Sequence, residues 1–152
     1  MTMPQTQVEQ NKALARRVYE TFNTAVRTGN WAALDDVLAA NALDHNPVPG
    51  QEPGLAGIKH VFEAFRTAFP DLRFSVEDMI AEGEQVVSRL TMHGTHQGDF
   101  QGIPPTGKAV TQTGIDILRL AGGKVIERWG EFDNLGLMQQ LGVIPAPGQP
   151  GS

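Results

Sequence analysis

The sequence contains no cysteine, which excludes disulfides, thiolate nucleophiles and Cys-ligated metal together. It also lacks any run of Lys and Arg; acidic residues outnumber basic ones, 17 to 12, for a formal net charge of −5. A surface built for nucleic acid needs clustered cations to meet phosphate, so that class of partner is set aside. No stretch approaches the ~18 consecutive apolar residues of a membrane span. Met1–Gln10 is polar and has no apolar core of the signal-peptide kind. The expectation from these absences is a cytoplasmic protein with neither a membrane nor a nucleic-acid partner.

What is present is an ordinary globular balance, 40% hydrophobic and 19% charged residues, which separates the chain from disordered sequences. At 152 residues it can enclose one core and a small cavity but not two domains. The domain is expected over 8–142, with flexible tails at 1–7 and along the Pro/Gly/Ser-rich 145–152.

Between Val8 and Arg27, Leu14, Val18, Phe22 and Val26 recur every fourth position with Tyr19 beside them, which predicts a helix with one buried stripe. Gly29 ends it, and Asn30 is placed to cap a shorter helix carrying Trp31, Leu34, Val37 and Leu38. The two prolines in Asp44–Gly50 forbid a regular helix there. A third helix is expected from Leu55 to Phe69, stopped by Pro70. The period then changes to two. Strands are expected around Leu72–Val76, over Gln85–Thr95, over Ala109–Leu120 and over Lys124–Glu131. Gln97–Lys108, with three glycines and two prolines, reads as a loop, either a lid or a stiff connection. Asp133 is placed to cap a closing helix, Asn134–Leu141. Helices first and antiparallel strands second give an α+β fold, a curved sheet covered by helices with a pocket between them.

Six segments carry a likeness to a known family: Asp44-His45-Asn46-Pro47, Ala68-Phe69-Pro70-Asp71-Leu72, His93-Gly94-Thr95-His96, Gly102–Lys108, Gly123–Trp129 and Gln140-Leu141-Gly142. In that order they resemble the SnoaL-like polyketide cyclases, also called ester cyclases, from about Asn11 to Gly142. The resemblance implies an NTF2-like cone, commonly a homodimer, that needs no metal or cofactor and acts on a small hydrophobic or polyketide-like molecule. Founding members close a ring of a polyketide ester by intramolecular aldol condensation; relatives isomerise steroids, hydrolyse epoxides, assist hydroxylation or only bind. In the family pattern an acid/base Asp follows the Trp of the last strand, and a His and a Gln lie on the neighbouring strand. Those positions here are Gly130, Asp116 and Gly114. All three depart from the pattern.

A carboxylate in an apolar pocket suits proton abstraction beside a carbonyl, because desolvation raises its basicity. Asp116 is the candidate catalytic carboxylate. A three-residue turn at Ala121-Gly122-Gly123 would set it opposite Arg128, with Gln112, Leu118, Ile126 and Gly130 on the same face. Asp116 and Arg128 then read either as catalytic pair, base or water activator with its orienter, or as a cross-strand ion pair. Candidate substrate-binding residues are His45, Gln112, Tyr19, Phe62 and Trp129. The aromatics at helical spacing, Tyr19, Phe22, Phe62 and Phe65, read equally as core. Glu131 and Asp133 follow Trp129, and either could reach the mouth of the cone, although Glu127 and Glu131 are expected on the opposite face with Trp129. His60 is expected in solvent, and of His93 and His96 at most one can point inward. No third ligand accompanies them, so no metal site is expected. Three functions stay open: a cofactor-free enzyme of cyclase type, a non-catalytic binder or dimeric interaction module, and an epoxide hydrolase using Asp116 with a second pocket carboxylate.

Overall fold

The apolar stripe of the first segment does form a helix, α1, Gln5–Thr28. Its inner side, Ala15, Val18, Tyr19, Phe22, Ala25 and Val26, is buried, and burial of each large apolar side chain is worth about 1.5–3 kcal/mol. The structure is a computed structural model that describes residues 5–145 and Gly148. The expected tails therefore lie mostly outside the described residues, except that Gln5–Gln7 form the first turn of α1 rather than a tail.

The segment after Gly29 corrects the expectation of a second α-helix. A short 3-10 helix covers Trp31–Asp36, and the side chain of Asn30 makes no capping bond. Leu38 is not helical: it opens β1, Leu38–Asp44. The helix α2, Gly54–Ala68, starts one residue earlier than its apolar pattern and stops two residues before Pro70. Four strands then follow, β2 Arg73–Glu82, β3 Gln85–Thr95, β4 Ala109–Ala121 and β5 Lys124–Phe132. The closing helix α3 is Asn134–Gln140, and the Asp133 side chain caps it by accepting from the Gly136 N–H, as expected of Asp at that position.

The sheet has five strands in the order β1-β5-β4-β3-β2. All pairs are antiparallel except β1 with β5, which is parallel. The sheet is curved and does not close, and α1 and α2 cover its concave face. That is an α+β cone of NTF2-like type. Asn23 on α1 ties the helix to edge strand β2, exchanging hydrogen bonds with both the N–H and the C=O of Phe74.

Register decides which side chains enter the cone. The β4–β5 turn has two residues, Gly122 and Gly123, both at positive φ (59° and 76°), with Ala121 opposite Lys124. That is a primed hairpin turn, which suits glycine. A two-residue turn shifts the register by one from the expected pairing. A bulge between Arg119 and Leu120 shifts it by one more. The sum of two shifts restores parity. Asp116 therefore lies opposite Gly130, and Arg128 opposite Leu118; the expected direct pairing of Asp116 with Arg128 is replaced by a diagonal one on the same face.

Candidate active site

Alternation along β4 sends Gln112, Asp116 and Leu118 inward, and all three are buried. On β5 the bulge turns Val125, Arg128 and Gly130 toward the same space, while Ile126, expected there, does not line it. Between sheet and helices lies a cavity of about 520 Å3. Its apolar wall includes Val18, Phe22, Phe62, Phe74, Met92 and Phe132.

The polar end of the cavity is one connected network. Asp116 is only 6% exposed. Its Oδ1 accepts from Arg128 Nε at 3.1 Å and from Arg128 Nη2 at 2.9 Å. Its Oδ2 accepts from the Tyr19 hydroxyl at 3.1 Å. Arg128 Nη1 donates to Asp44 Oδ1 at 3.0 Å, so one guanidinium holds two carboxylates. Asp44 in turn accepts from the Asn46 N–H on Oδ1 and from Gln51 Nε2 on Oδ2. The parallel register of β1 on β5, which sets Asp44 beside Arg128, brings the second carboxylate in.

Burial pushes the Asp116 carboxyl above its ordinary range, against the pull of Arg128 and the Tyr19 hydrogen bond, which favour the anion. Burial likewise raises the Tyr19 phenol well above its usual value, with the adjacent Asp116 charge acting in the same direction. For Arg128, burial works against the charge, but Asp116 and Asp44 outweigh it and hold the guanidinium protonated. The arrangement is a carboxylate made more basic than usual, held in fixed orientation inside a largely apolar space. Each Oδ carries two lone-pair directions. Arg128 occupies both on Oδ1, leaving one free on Oδ2.

Gly130 is part of this construction. Its φ is not among the positive ones, so backbone freedom does not demand glycine. Space does. A Cβ there would stand 2.1 Å from Arg128 Nη2 and 2.3 Å from Asp116 Oδ1. Gly114 is similar: a Cβ would meet the Phe132 ring at 2.2 Å, and Phe132 in turn lies under the Arg128 guanidinium at 5.9 Å.

Of the residues expected at the site, Tyr19, Phe62, Gln112, Asp116 and Arg128 line the cavity. Gln112 is oriented by donating from Nε2 to Asn134 Oδ1 at 2.9 Å. His45 and Trp129 do not line it. Trp129 lies opposite Ile117, one residue out of step with the inward Asp116–Gly130 pair, so it projects from the convex face. His45 stacks on it there, rings 4.5 Å apart and 3° from parallel, with Nε2 at 2.8 Å from Glu127. Glu131, expected on that outer face, instead reaches the cavity rim, where the Asn46 side chain donates to it. His60 is exposed and pairs with Glu52; His93 bonds Ser75. His96 is the buried one of its pair, packed against Phe69 with Nδ1 accepting from the Thr106 N–H. Among the described residues, no group of three His, Cys, Asp or Glu is placed to hold a metal, and no helix is long and apolar enough to cross a membrane.

Asp44, Asn46 and Gln51 also line the cavity, beyond the residues expected there. The signal was the turn-rich segment Asp44–Gly50, but with β1 unrecognised there was no alternation to show that Asp44 faces inward and His45 outward.

The fold and site are those of an α+β cone enclosing an apolar cavity, with one buried ion-pair network at its polar end. The chain belongs to the SnoaL-like polyketide cyclase family, whose profile matches residues 15–141. It is 31% identical over 132 residues to aklanonic acid methyl ester cyclase DauD of Streptomyces sp. (strain C5), covering 85% of this chain and 80% of that one. It is 30% identical to aklanonic acid methyl ester cyclase DnrD of Streptomyces peucetius, covering 85% and 88%. Among solved structures, TsrD from Streptomyces laurentii superposes with a TM-score of 0.77 at 30% identity, over 87% of this chain and 97% of that chain.

Proposed function

We propose that the protein is a cofactor-independent enzyme of polyketide cyclase type in which Asp116 is the base. The observation that carries this is the cross-strand pair Asp116–Gly130. By the family resemblance the acid/base carboxylate belongs at position 130. Here that position is bare, and a carboxylate stands directly across from it on the neighbouring strand, inside the same cavity. The glycine leaves room for Arg128 to fold over it and hold the relocated carboxylate.

The chemistry follows from the free groups. Asp116 Oδ2 takes a proton from the carbon next to a substrate carbonyl. Of the five N–H donors of a guanidinium, three on Arg128 are spent on Asp116 and Asp44, and the other two remain for the enolate oxygen. The enolate carbon attacks a second carbonyl of the same molecule, a carbon–carbon bond closes the ring, and the new alkoxide recovers the proton from Asp116. Substrate and product are isomers, so no co-reactant enters. The apolar wall keeps water from quenching the enolate.

The first substrate to test is aklanonic acid methyl ester, for which the two relatives above are named, with chromatographic separation of the isomeric product. Asp116→Asn is expected to lower kcat by about 10²–10⁴-fold with the circular dichroism spectrum unchanged. Turnover equal to wild type would retire the assignment.

Epoxide opening is a second reading, and one observation favours it: Asp44 is a second cavity carboxylate on the same guanidinium. Incubation with a neutral cyclic epoxide in 18O-water tests it; failure to form labelled diol ends it. Binding without turnover is the third reading, sunk by any turnover that depends on Asp116. A homodimer in the cytoplasm remains the proposed setting; exposed Leu43 and Ile115, near the Trp129–His45 stack, are the apolar surface a second copy would cover. Light scattering that gives a monomer mass would remove the dimer.

A further inference from the structure

A second chamber of about 450 Å3 adjoins the first. The two share Val48, Pro49, Gln51, Val61, Phe65, Phe100 and Gln101 in their walls, so these residues form a neck between them. Beyond the neck the outer chamber is bounded by Glu52, His60, Ala64 and Asp99.

The tip of the 97–107 loop is built to hold one side chain at that neck. Phe100 and Ile103 exchange both backbone hydrogen bonds, at 3.0 and 2.8 Å, around Gln101 and Gly102, whose φ values are 50° and 84°. That is a primed two-residue turn. Among the described residues Gln101 alone carries a side chain at positive φ, a conformation that costs any residue with a Cβ. The turn is fixed on both sides. Phe100 is buried against Phe65 and Phe69, ring centroids 5.7 and 5.2 Å away, and Asp99 Oδ1 accepts from the Gly102 N–H. Gln101 is exposed, and its carboxamide makes no hydrogen bond within the described protein, which leaves it to water or a ligand, whereas Gln51, across the neck, is satisfied at both ends by Val48 and Asp44.

Charge narrows the ligand. Across both chambers Arg128 is the one Lys or Arg in the wall, and it already serves two carboxylates, while Asp44, Asp116, Glu131, Glu52 and Asp99 are all acidic. The outer chamber has no Lys or Arg in its wall, so an anionic group entering it would meet repulsion and no cation.

We infer that the outer chamber is a subsite for the distal part of an elongated, uncharged substrate, and that Gln101 determines specificity by hydrogen-bonding a hydroxyl or carbonyl group at the neck. The inference rests on the reading that the inner chamber holds the reacting end of a small apolar molecule. A carboxamide can donate or accept, so either group satisfies it.

Two probes separate the chambers: 1,8-dihydroxyanthraquinone, and the same ring system bearing a 3-oxopentyl chain. Wild type is expected to bind the chain-bearing probe about tenfold more tightly, the size of one good hydrogen bond plus added burial. Gln101→Gly, which the positive φ accommodates without strain, should reduce that advantage to about threefold or less. Ala64→Trp, filling the outer chamber from the exposed face of α2, should do the same, and because Ala64 lines only the outer chamber it should leave the affinity for the compact probe unchanged. Equal wild-type affinity for both probes, or an undiminished advantage in Gln101→Gly, would overturn the subsite while leaving the inner chamber's role intact. If neither probe bound, the inner-chamber reading would fall and the subsite with it.

Discussion

Gly130→Ala tests the site's construction most sharply, because the substitution adds one carbon and nothing else. The new Cβ would lie 2.1 Å from Arg128 Nη2 and 2.3 Å from Asp116 Oδ1, distances that no side chain tolerates. Both atoms are ends of side chains, so the backbone need not move; the guanidinium swings away instead. The loss is then electrostatic rather than steric. Breaking a buried ion pair by deleting one partner costs about 3–5 kcal/mol, and charge-assisted hydrogen bonds contribute about 1.5–3 kcal/mol. Arg128 is displaced rather than deleted and keeps Asp44, so a penalty of about 2–4 kcal/mol is expected. For a chain of this length that lowers Tm by roughly 4–16 °C. Urea unfolding of wild type, Gly130→Ala, Asp116→Asn and the double variant forms a thermodynamic cycle. In the Asp116→Asn background no carboxylate is left unpaired, and the alanine penalty should fall by at least half. A Gly130→Ala protein within about 0.5 kcal/mol of wild type, or a penalty undiminished in the double variant, would refute the account of why this position is bare.

Tyr19→Phe removes the hydroxyl that stabilises the Asp116 anion, so the carboxyl pKa should rise further and the acidic limb of the kcat/KM profile should move to higher pH. An unmoved limb would separate Tyr19 from the base. Because the folded-state pKa of Asp116 is raised above its unfolded value, the native state binds the extra proton, and this residue's contribution to stability falls as pH rises from the ordinary carboxylate range through the folded pKa. The stability of Asp116→Asn relative to wild type should therefore improve between pH 4 and pH 7 by urea unfolding; the opposite slope would reverse the sign assigned to the shift. Gly114→Ala should displace the Phe132 ring and reshape the cavity floor beneath Arg128, raising KM; a KM equal to wild type would make Phe132 a bystander.

Much of this protein could be read directly from its residues. Where a segment buries one face, its period is written in the chain: the fourfold spacing of Val18, Phe22 and Val26 marked α1, and the alternation of Leu72, Phe74 and Val76 marked the start of β2. Asp133 declared its cap by position and chemistry alone. The expected meeting of Asp116 and Arg128 rested on a three-residue turn, whereas the chain reaches it by a two-residue turn and a bulge together; the six family segments named the architecture. Other features depended on contacts between distant parts of the chain. β1 has the sequence LAANALD, which carries no strand periodicity; it is a strand because β5 offers it parallel partners some 85 positions away. Without that pairing nothing sets Asp44 inward and His45 outward, so the second carboxylate was missed and the histidine placed in a cavity it does not enter. The Arg119–Leu120 bulge likewise has no local signature, yet it kept Asp116 and Arg128 on one face after the two-residue turn had shifted them. Local sequence fixes periodicity and caps because those depend on neighbours within a turn or two. Register, bulges and the meeting of Asp44 with Arg128 are settled by packing between elements, and that exists only once the chain has folded.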